Sequence, residues 1–326
     1  MRTKQRTLVF LLVLILALGG ALWLLTRSNA QAEQAASAAA EGDIQLSSFA
    51  ADALETLRYT YQGETLTLEY DSGGWTLADD PDYHLDASAC NTMVTALADL
   101  KARRQLTAQP GEDYGLTDPV VTVTVTAAGE TDTFAFGAEN PVTGDLYVQK
   151  AGDDAVYTVS GSRAACFELN KAELFGSFNP AGLTVSSVGA VTVTTAEGTL
   201  RLKAVSEPVE SGSASAETDS DPSAYQTVWR RADDPETDLD DETVQDLLSA
   251  LAGYVPAQVT GADPAAYGFD APLATVQATM ADGTATLYYA ENADGCWLMV
   301  QGDSSVYAVD LDTVNTLLQA AESLQG

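Results

Sequence analysis

The sequence predicts an α+β protein in which an N-terminal transmembrane helix precedes two tandem repeats, each a mainly antiparallel sheet with two amphipathic helices. Three observations support this fold class. An uncharged apolar run opens the chain, stretches of alternating apolar and polar residues recur after it, and long segments of the second half match the first half at a nearly constant spacing. Alternation is typical of half-buried strands, and self-similarity at a fixed spacing indicates repeated structural units.

The N-terminal run predicts a membrane anchor. Residues 8–25 carry no charge and lie between basic residues on both sides. At about 1.5 Å per residue a helix of this length reaches roughly 27 Å, close to the thickness of a bilayer core. The basic residues in front of it favour a cytoplasmic N-terminus, which places the chain beyond residue 28 outside. A cleaved signal peptide is the alternative, although the apolar run is longer than such peptides usually carry.

The predicted organisation has four parts. Residues 1–28 form the cytoplasmic tip and the transmembrane anchor, and residues 29–43 form an Ala-rich spacer. Residues 44–177 form the first α+β repeat, and residues 178–326 form the second. Within the second repeat, residues 206–224 are rich in Ser and acidic residues and lack apolar periodicity. This composition predicts a disordered insertion between two strands.

Matching segments define the repeat. “WTLADDPDYHLD” from Trp75 aligns with “WRRADDPETDLD” from Trp229, and “YGLTDPVV” from Tyr114 aligns with “YGFDAPLA” from Tyr267. Further on, “GDDAVYTV” returns as “GDSSVYAV”. Because the order is the same in both halves, we expect both halves to have the same fold.

A helix is expected after the acidic start of each matching segment. Asp86 and Asp240 are placed as N-caps, whose side-chain oxygens accept hydrogen bonds from free N–H groups of the first turn. Apolar residues then recur at the spacing of one helix face. They are Cys90, Met93, Val94, Leu97 and Leu100 in the first repeat and Val244, Leu247, Leu248, Leu251 and Tyr254 in the second. A second helix is expected to close each repeat, from about Ser162 and about Asp312, and both residues are placed as N-caps.

Three runs of alternating residues predict antiparallel hairpins. They begin at Leu57, Val121 and Ala190 and read “LRYTYQGETLTLEY”, “VTVTVTAAGETDTFAF” and “AVTVTTAEGTLRLKAV”. In the second run the Val and Thr side chains point to opposite faces, so one face is buried and the other faces water. The short connections that contain Gly are typical of hairpin turns.

The charge of the chain excludes nucleic acid as a partner. There are 47 acidic residues against 15 basic ones, a net charge of −32, and every acidic residue follows Arg27. Such a surface repels nucleic acid and anionic lipid headgroups. The simplest role of the acidic residues is solubility, and attraction to cations or to a basic partner is the alternative.

The stretch “ADDPDYHLD”, residues 78–86, contains the only His of the chain. His84 with Asp82 and Asp86 could bind a cation. The matching stretch of the second half, however, has Asp238 in place of His84. We therefore expect the shared acidic residues to serve the start of a helix rather than a metal.

No other pattern predicts a reactive or metal-binding site. One His excludes a site with two His ligands, and the sequence contains neither G-x-S-x-G nor the Gly-Lys pair of a phosphate-binding loop. Asp238, Asp240 and Glu242 alternate as in calcium loops, but Thr243 stands where the turn glycine belongs. The cysteines, expected to be buried thiols, are Cys90, Cys166 and Cys296. We predict no catalytic, cofactor-binding or metal-binding residues and no cofactor.

Three further features have structural explanations. The basic island “KARR”, residues 101–104, is expected at a helix C-terminus, with a partner contact as the alternative. Trp75 and Trp229 are expected in the core because they recur at the same strand position, with exposed platforms for glycans as the alternative. The segments 114–119 and 267–272 are expected to be turns that lead into strands.

The order of these motifs resembles a known family. A membrane-anchored chain with a Trp-bearing strand, Asp-Pro, an amphipathic helix, “YGL” with a following Pro, two long strands and “VY” before a last helix is similar to the uncharacterised family called domain of unknown function 4340. The matching residues are Trp75, Tyr114, Gly115, Leu116, Pro119 and Tyr157, with Trp229, Tyr267, Gly268, Pro272 and Tyr307 in the second half. In the second half Phe269 replaces the Leu and Arg230 follows the Trp, which departs from the family pattern.

The resemblance implies an α+β fold, an envelope location and genomic neighbourhood with ABC-type transporters of the gliding-motility kind, and it brings no catalytic residues. We therefore expect a single-pass protein of the cell membrane with its C-terminal region outside. It is expected to be a non-catalytic accessory or binding protein, not an enzyme, with an ABC transporter permease or another envelope protein as partner. A cell-wall polymer binding module and a hydrolase with an unrecognised site are the alternatives.

Overall fold

A computed structural model describes residues 44–107, 111–208 and 225–325. The predicted anchor (1–28) and the predicted spacer (29–43) lie outside these residues, as does most of the predicted insertion. Within the three described ranges, no helix is long and apolar enough to cross a membrane.

The chain divides into two compact units. The first contains the residues up to Asp79 together with Ala87–Leu174, and the second contains Asp80–Asp86 together with the residues from Phe175 onwards. The segment Asp80–Asp86 thus interrupts the first unit along the sequence but belongs to the second.

The first unit is mainly antiparallel sheet. Its strands are β1 (Ile44–Ser48), β2 (Leu54–Tyr61), β3 (Glu64–Asp71), β4 (Gly74–Leu77), β5 (Asp99–Ala102), β6 (Arg104–Leu106), β7 (Val121–Ala127), β8 (Glu130–Glu139), β9 (Asp145–Lys150) and β10 (Val156–Ser160). Eight of them form one sheet in the order β4-β3-β2-β7-β8-β9-β10-β6, and β1 pairs with β5 in a separate sheet. One α-helix, α1 (Ala87–Ala98), lies between β4 and β5 along the chain.

Residue alternation selects the buried face of this sheet. In β7 the Val121, Val123 and Val125 side chains are buried, whereas the threonines between them are half-buried. The apolar stripe of α1 is buried as predicted, and Met93 and Leu97 are inaccessible to solvent. The hairpins predicted from this alternation are confirmed, since β2 pairs with β3 and β7 with β8.

The second unit is built on another eight-stranded antiparallel sheet. Its strands are β11 (Val188–Thr195), β12 (Thr199–Pro208), β13 (Tyr225–Arg231), β14 (Ala257–Thr260), β15 (Ala274–Met280), β16 (Gly283–Asn292), β17 (Gly295–Val300) and β18 (Ser305–Val309). They lie in the order β13-β12-β11-β15-β16-β17-β18-β14. Two helices, α2 (Asp241–Leu251) and α3 (Leu311–Gln325), complete the unit. Leu248 of α2 and Leu317 of α3 lie in one apolar cluster with Val193 and Val276 of the sheet.

The two large sheets use their strands in the same order. In each sheet the three strands that come first along the chain lie at one edge in reverse order, β4-β3-β2 and β13-β12-β11. Four consecutive strands follow, and a strand from between the first helix and those four, β6 or β14, lies at the other edge. The units differ outside these sheets, because only the first has the additional β1–β5 pair among its described residues.

The predicted fold class is wrong in its helices. The second helix expected from about Ser162 is replaced by the short 3₁₀ turns Gly161–Arg163 and Ala165–Phe167, so the described part of the first unit has one α-helix, not two. Over its described residues the chain is mainly antiparallel sheet in three sheets rather than two equivalent repeats with two helices each. This segment packs on the sheet through contacts that are distant in sequence, since the Tyr59 hydroxyl donates to the Leu169 carbonyl oxygen at 2.7 Å and the Tyr59 and Phe167 ring centroids lie 6.2 Å apart.

Three smaller predictions are also wrong. Strand β12 continues to Pro208, so the first three residues of the predicted insertion 206–224 pair with β13, and residues 209–224 lie outside the described chain. Leu100 is buried in β5 and Tyr254 is 71% exposed, because α1 ends at Ala98 and α2 at Leu251. Helix α3 begins before Asp312, which therefore lies in its first turn and does not cap it.

Candidate functional site

Neutral polar side chains cover the outer side of α1. Ser88, Asn91, Thr92 and Thr95 recur at the spacing of one helix face, and all four are exposed. The opposite face carries the buried apolar stripe. We call these four residues the polar face of α1.

A groove of about 630 Å³ lies on one side of this polar face. It is lined by the four residues of the face together with Ala96, Ser162, Arg163 and Cys166. The 3₁₀ turns that replace the expected second helix supply the last three. Neutral hydroxyl and amide groups therefore dominate its polar lining, and Arg163 adds one positive charge.

A smaller depression of about 280 Å³ lies on the other side. Its lining residues are Ala51, Asp52, Tyr70, Trp75, Asn91, Val94 and Thr95. Asn91 and Thr95 line both depressions. These two residues therefore lie between the depressions, and we call the two depressions together the band.

Two aromatic rings form one wall of the smaller depression. Tyr70 and Trp75 are cross-strand neighbours on β3 and β4, and their ring centroids lie 5.0 Å apart with the planes tilted by 50°. Tyr70 is 44% exposed and Trp75 is half-buried. The core position expected for Trp75 is therefore wrong, whereas Trp229, only 7% exposed, lies in the core as expected.

Hydrogen bonds fix the orientation of these side chains. The Trp75 Nε1–H donates to Asn91 Oδ1 at 3.0 Å, which leaves the donors of that amide on its Nδ2. The Thr92 and Thr95 hydroxyls donate to helix carbonyl oxygens four residues earlier, each at 2.8 Å. Their oxygen lone pairs remain able to accept hydrogen bonds from a ligand.

The thiol in the larger groove is not activated. Burial raises the pKa of Cys166 to about 11, so the thiol is protonated at neutral pH. The thiolate is the nucleophilic form of cysteine. Cys90 and Cys296 are buried as expected, whereas Cys166 is only half-buried, and none of the three forms a disulfide. The groove is therefore suited to binding, and its thiol is not prepared for covalent chemistry.

His84 lies on an aromatic cluster of the second unit. Its ring stacks on Phe178 with the centroids 4.0 Å apart and the planes at 23°, and Phe178 contacts Tyr307 edge-on. Burial lowers the pKa of the His84 imidazole. Asp82, expected beside His84 in a cation site, has contacts within the protein. The Ser304 hydroxyl lies 3.5 Å from its Oδ2, and its backbone carbonyl oxygen accepts from Gln258 Nε2.

The acidic residues before α2 have partners within the protein. The side chain of Asp240 caps the helix, accepting from the Thr243 backbone N–H at 2.9 Å, which confirms the predicted N-cap. These contacts with Thr243 lower the pKa of the Asp240 carboxyl group. Asp238 pairs with Arg230. Helix α1 begins directly after Asp86, its expected cap. In the part of the chain described here, no three His, Cys, Asp or Glu residues are grouped as a metal site.

The basic island “KARR” is not at a helix C-terminus. It follows the end of α1 and lies in and between β5 and β6. Lys101 pairs with Asp99 at 2.8 Å, and Arg103 pairs with the buried Asp145 at 2.7 Å. The charges of Lys101 and Arg103 thus belong to ion pairs within the first unit.

The predicted turns before β7 and β15 are confirmed. Gly115 and Gly268 both have positive φ, and Gly268 ends the 3₁₀ helix Pro264–Tyr267 in the left-handed conformation. Each precedes a long strand by a few residues.

Sequence reasoning missed the polar face of α1 and Tyr70. The signal was present, because Ser88, Asn91, Thr92 and Thr95 have the same i, i+3, i+4, i+7 spacing as the buried stripe opposite them. Polar residues at such positions usually mark only a solvated surface. Their importance depends on the aromatic pair beside them, and the sequence alone does not reveal that proximity.

Comparison with known protein families relates part of the chain to one of them. Residues 75–228 match the sequence profile of the family described as Domain of unknown function (DUF4340), which confirms the resemblance inferred from the motifs over this range. The matched range begins at Trp75 in β4 and ends at Val228 in β13, so it includes parts of both units. No curated protein and no solved structure matches the chain significantly.

Proposed function

Residues 75–228 match the family described as Domain of unknown function (DUF4340), and from this premise we propose that the chain is a non-catalytic binding protein of the cell envelope. The polar face of α1 carries the proposal. An open band lined by hydroxyl, amide and aromatic groups suits reversible binding of a polar partner. The raised pKa of Cys166 and the stacking of His84 on Phe178 also support binding rather than chemistry.

We propose that the N-terminal apolar run anchors the protein in the cell membrane, with the two units outside. Its length and the basic residues in front of it support this orientation. Protease added to intact spheroplasts should then degrade the units while the membrane stays sealed. Protection of both units until detergent is added would contradict the orientation.

The proposed partner is a permease of an ABC-type transporter or another envelope protein. The family resemblance supports a transporter partner, and the net charge of −32 favours a basic partner surface. Both arguments concern association and involve no bond-breaking step.

Site-specific photocrosslinking tests this proposal. A photoreactive amino acid at Thr92, on the polar face of α1, should capture the permease in intact membranes. The same group at Asn315, exposed on α3 of the second unit, is the matched control. If neither position captures an envelope protein and the full-length chain co-purifies with none, the proposed association is wrong.

The aromatic pair favours a second candidate function, a cell-wall polymer binding module. Tyr70 and Trp75 present ring surface beside neutral hydrogen-bonding groups, a combination that suits polymers with both apolar and hydroxyl-bearing faces. Retention of the full-length protein on purified wall material, in buffer of moderate ionic strength, tests this function. Passage of all the protein through such a column would reject it.

A further inference from the structure

We infer that the polar face of α1 and the Tyr70–Trp75 pair together form a binding site for an uncharged glycan chain. This inference rests on the second candidate function, binding of a cell-wall polymer, and assigns its site and ligand class. It commits to a neutral polysaccharide as the occupant of both depressions beside α1.

The aromatic pair supplies the surface on which a sugar ring can stack. The C–H groups on one face of a pyranose pack against aromatic rings through dispersion and weak C–H contacts. Tyr70 is 44% exposed, so its ring is accessible to a ligand. Trp75 is held by its contact with Tyr70 and by the hydrogen bond from its Nε1–H to Asn91. The wall is therefore preorganised, which lowers the entropic cost of binding.

The polar face supplies donors and acceptors of the kind that sugar hydroxyls need. Each sugar hydroxyl both donates and accepts, so a glycan site requires neutral groups of both types. The oxygens of Thr92 and Thr95 can accept, and the Asn91 Nδ2 can donate. Because Asn91 also holds Trp75, the stacking surface and the hydrogen-bonding surface are joined at one residue.

Charge selects against anionic polymers. The band has one acidic and one basic group in its lining, Asp52 in the smaller depression and Arg163 in the larger groove. The protein as a whole has a net charge of −32, which repels polyphosphate chains. A neutral glycan carries neither this penalty nor a need for ionic partners.

The size of the band favours a chain over a single sugar. Depressions of about 630 Å³ and about 280 Å³ adjoin at Asn91 and Thr95. Each has the order of size of a pocket for a small ligand, and ligand pockets span about 300–1,000 Å³. A ligand that fills both must continue across the helix face, as successive residues of an oligosaccharide would.

The second unit lacks the aromatic wall in its corresponding groove, which contains Trp229, Gln245 and Leu248. Trp229 is 7% exposed there, and its cross-strand neighbour is Ala204, not a tyrosine. We therefore expect the glycan to bind the first unit and not the second. Exposed residues of the second unit then serve as internal controls.

Isothermal titration of the full-length protein with N-acetylglucosamine tetramer tests the inference, together with sedimentation on insoluble peptidoglycan. The variants are Tyr70→Ala and Asn91→Ala, with Tyr254→Ala and Asn315→Ala as matched exposed controls in the second unit. Thr92→Arg adds a variant that blocks the polar face and keeps good helix propensity. We expect Tyr70→Ala to weaken binding by up to about tenfold, since loss of one aromatic contact has an effect of that order, and we expect the other two first-unit variants to weaken it measurably.

The outcomes separate the site from the function. If the wild-type protein binds the glycan but all three first-unit variants bind equally well, the assigned site is wrong and polymer binding stands. If the wild-type protein binds neither the tetramer nor peptidoglycan, both the site and the second candidate function are rejected. Tighter binding to a polyphosphate wall polymer than to the tetramer would overturn the assignment to a neutral ligand.

Discussion

Gln258 holds the backbone at His84 with its side-chain amide. The amide Oε1 accepts from the His84 backbone N–H at 2.8 Å, and Nε2 donates to the Asp82 carbonyl oxygen at 2.9 Å. Nε2 also donates to the Ser305 hydroxyl at 2.8 Å. Gln258 is 9% exposed, so its side-chain amide is buried, and its bond to Ser305 lies out of water. A side chain thus provides the paired donor and acceptor that a neighbouring strand would normally offer to this segment.

Replacing Gln258 by Leu should destabilise the second unit by about 2–3 kcal/mol, because backbone groups at His84 and Asp82 lose a buried partner. Urea denaturation followed by tryptophan fluorescence measures the change. Gln277→Leu is the matched control, because Gln277 is exposed on β15 and the same substitution there should change stability by about 0.5 kcal/mol or less. Equal effects at both positions would show that Gln258 does not hold the segment.

The His84 imidazole should titrate below 6.5. Burial on the face of Phe178 disfavours its charged form, and as the only His of the chain it gives a single set of imidazole resonances. NMR titration measures its pKa directly. Phe178→Ala should return the pKa of His84 towards 6.5. A wild-type pKa at or above 6.5 would contradict the stacking of His84 on Phe178.

The lowered pKa of His84 also makes the free energy of unfolding depend on pH. The folded-state pKa lies below the unfolded value of 6.5, so the unfolded chain binds more protons as the pH falls. The contribution of neutral His84 is therefore present above pH 6.5 and is lost as the pH falls below it. Denaturation midpoints of the wild type should drop between pH 7.5 and 5.5 more than those of His84→Asn, which cannot titrate.

Gly268→Ala should destabilise the turn before β15 by about 1–3 kcal/mol. Gly268 has φ of +87°, and a Cβ there would lie 2.5 Å from the carbonyl oxygen of Glu291. Gly283→Ala is the control, because a Cβ at Gly283 meets nothing within 4 Å. Thermal denaturation compares the two variants. A Gly268→Ala protein as stable as Gly283→Ala would show that the backbone can relax at this turn.

Asp240→Ala should lower the denaturation midpoint, since the first turn of α2 loses the oxygen that accepts from Thr243. Asp246→Ala, on the exposed middle of the same helix, is expected not to lower it. Metal content measured on both proteins should equal that of the wild type. Loss of a stoichiometric metal from Asp240→Ala alone would replace the capping account with a metal site.

The contribution of the capping carboxylate should also depend on pH. The contacts with Thr243 hold the pKa of Asp240 below its usual range, so this stabilisation is present above that range and is lost as the pH falls through the folded-state pKa. The difference in midpoint between wild type and Asp240→Ala should therefore shrink in acid. A difference that stays constant from neutral pH to pH 2 would contradict this assignment.

Local patterns in the sequence predicted the parts of the fold that depend on local physics. The alternation in “VTVTVTAAGETDTFAF” predicted the β7–β8 hairpin, and the cap at Asp240 followed from residue type and position. The segment expected to be a helix from Ser162 forms 3₁₀ turns instead, and the chain just after them bonds to Tyr59, more than a hundred residues earlier. The contact of Trp75 with Tyr70 likewise arises through strand pairing. Neither relationship leaves a periodic signal.

Because Asp80–Asp86 belongs to the second unit, the polypeptide passes from one unit to the other three times. During synthesis this heptapeptide leaves the ribosome long before Gln258, its hydrogen-bonding partner, is made. Tyr83 and Leu85 are each 7% exposed in the folded protein. In the nascent chain their side chains therefore stay exposed to solvent until the rest of the second unit is made. A gene fragment cut after Leu174 would keep these apolar side chains permanently without their cover, so domain dissection of this protein requires circular rearrangement or co-expression of both pieces.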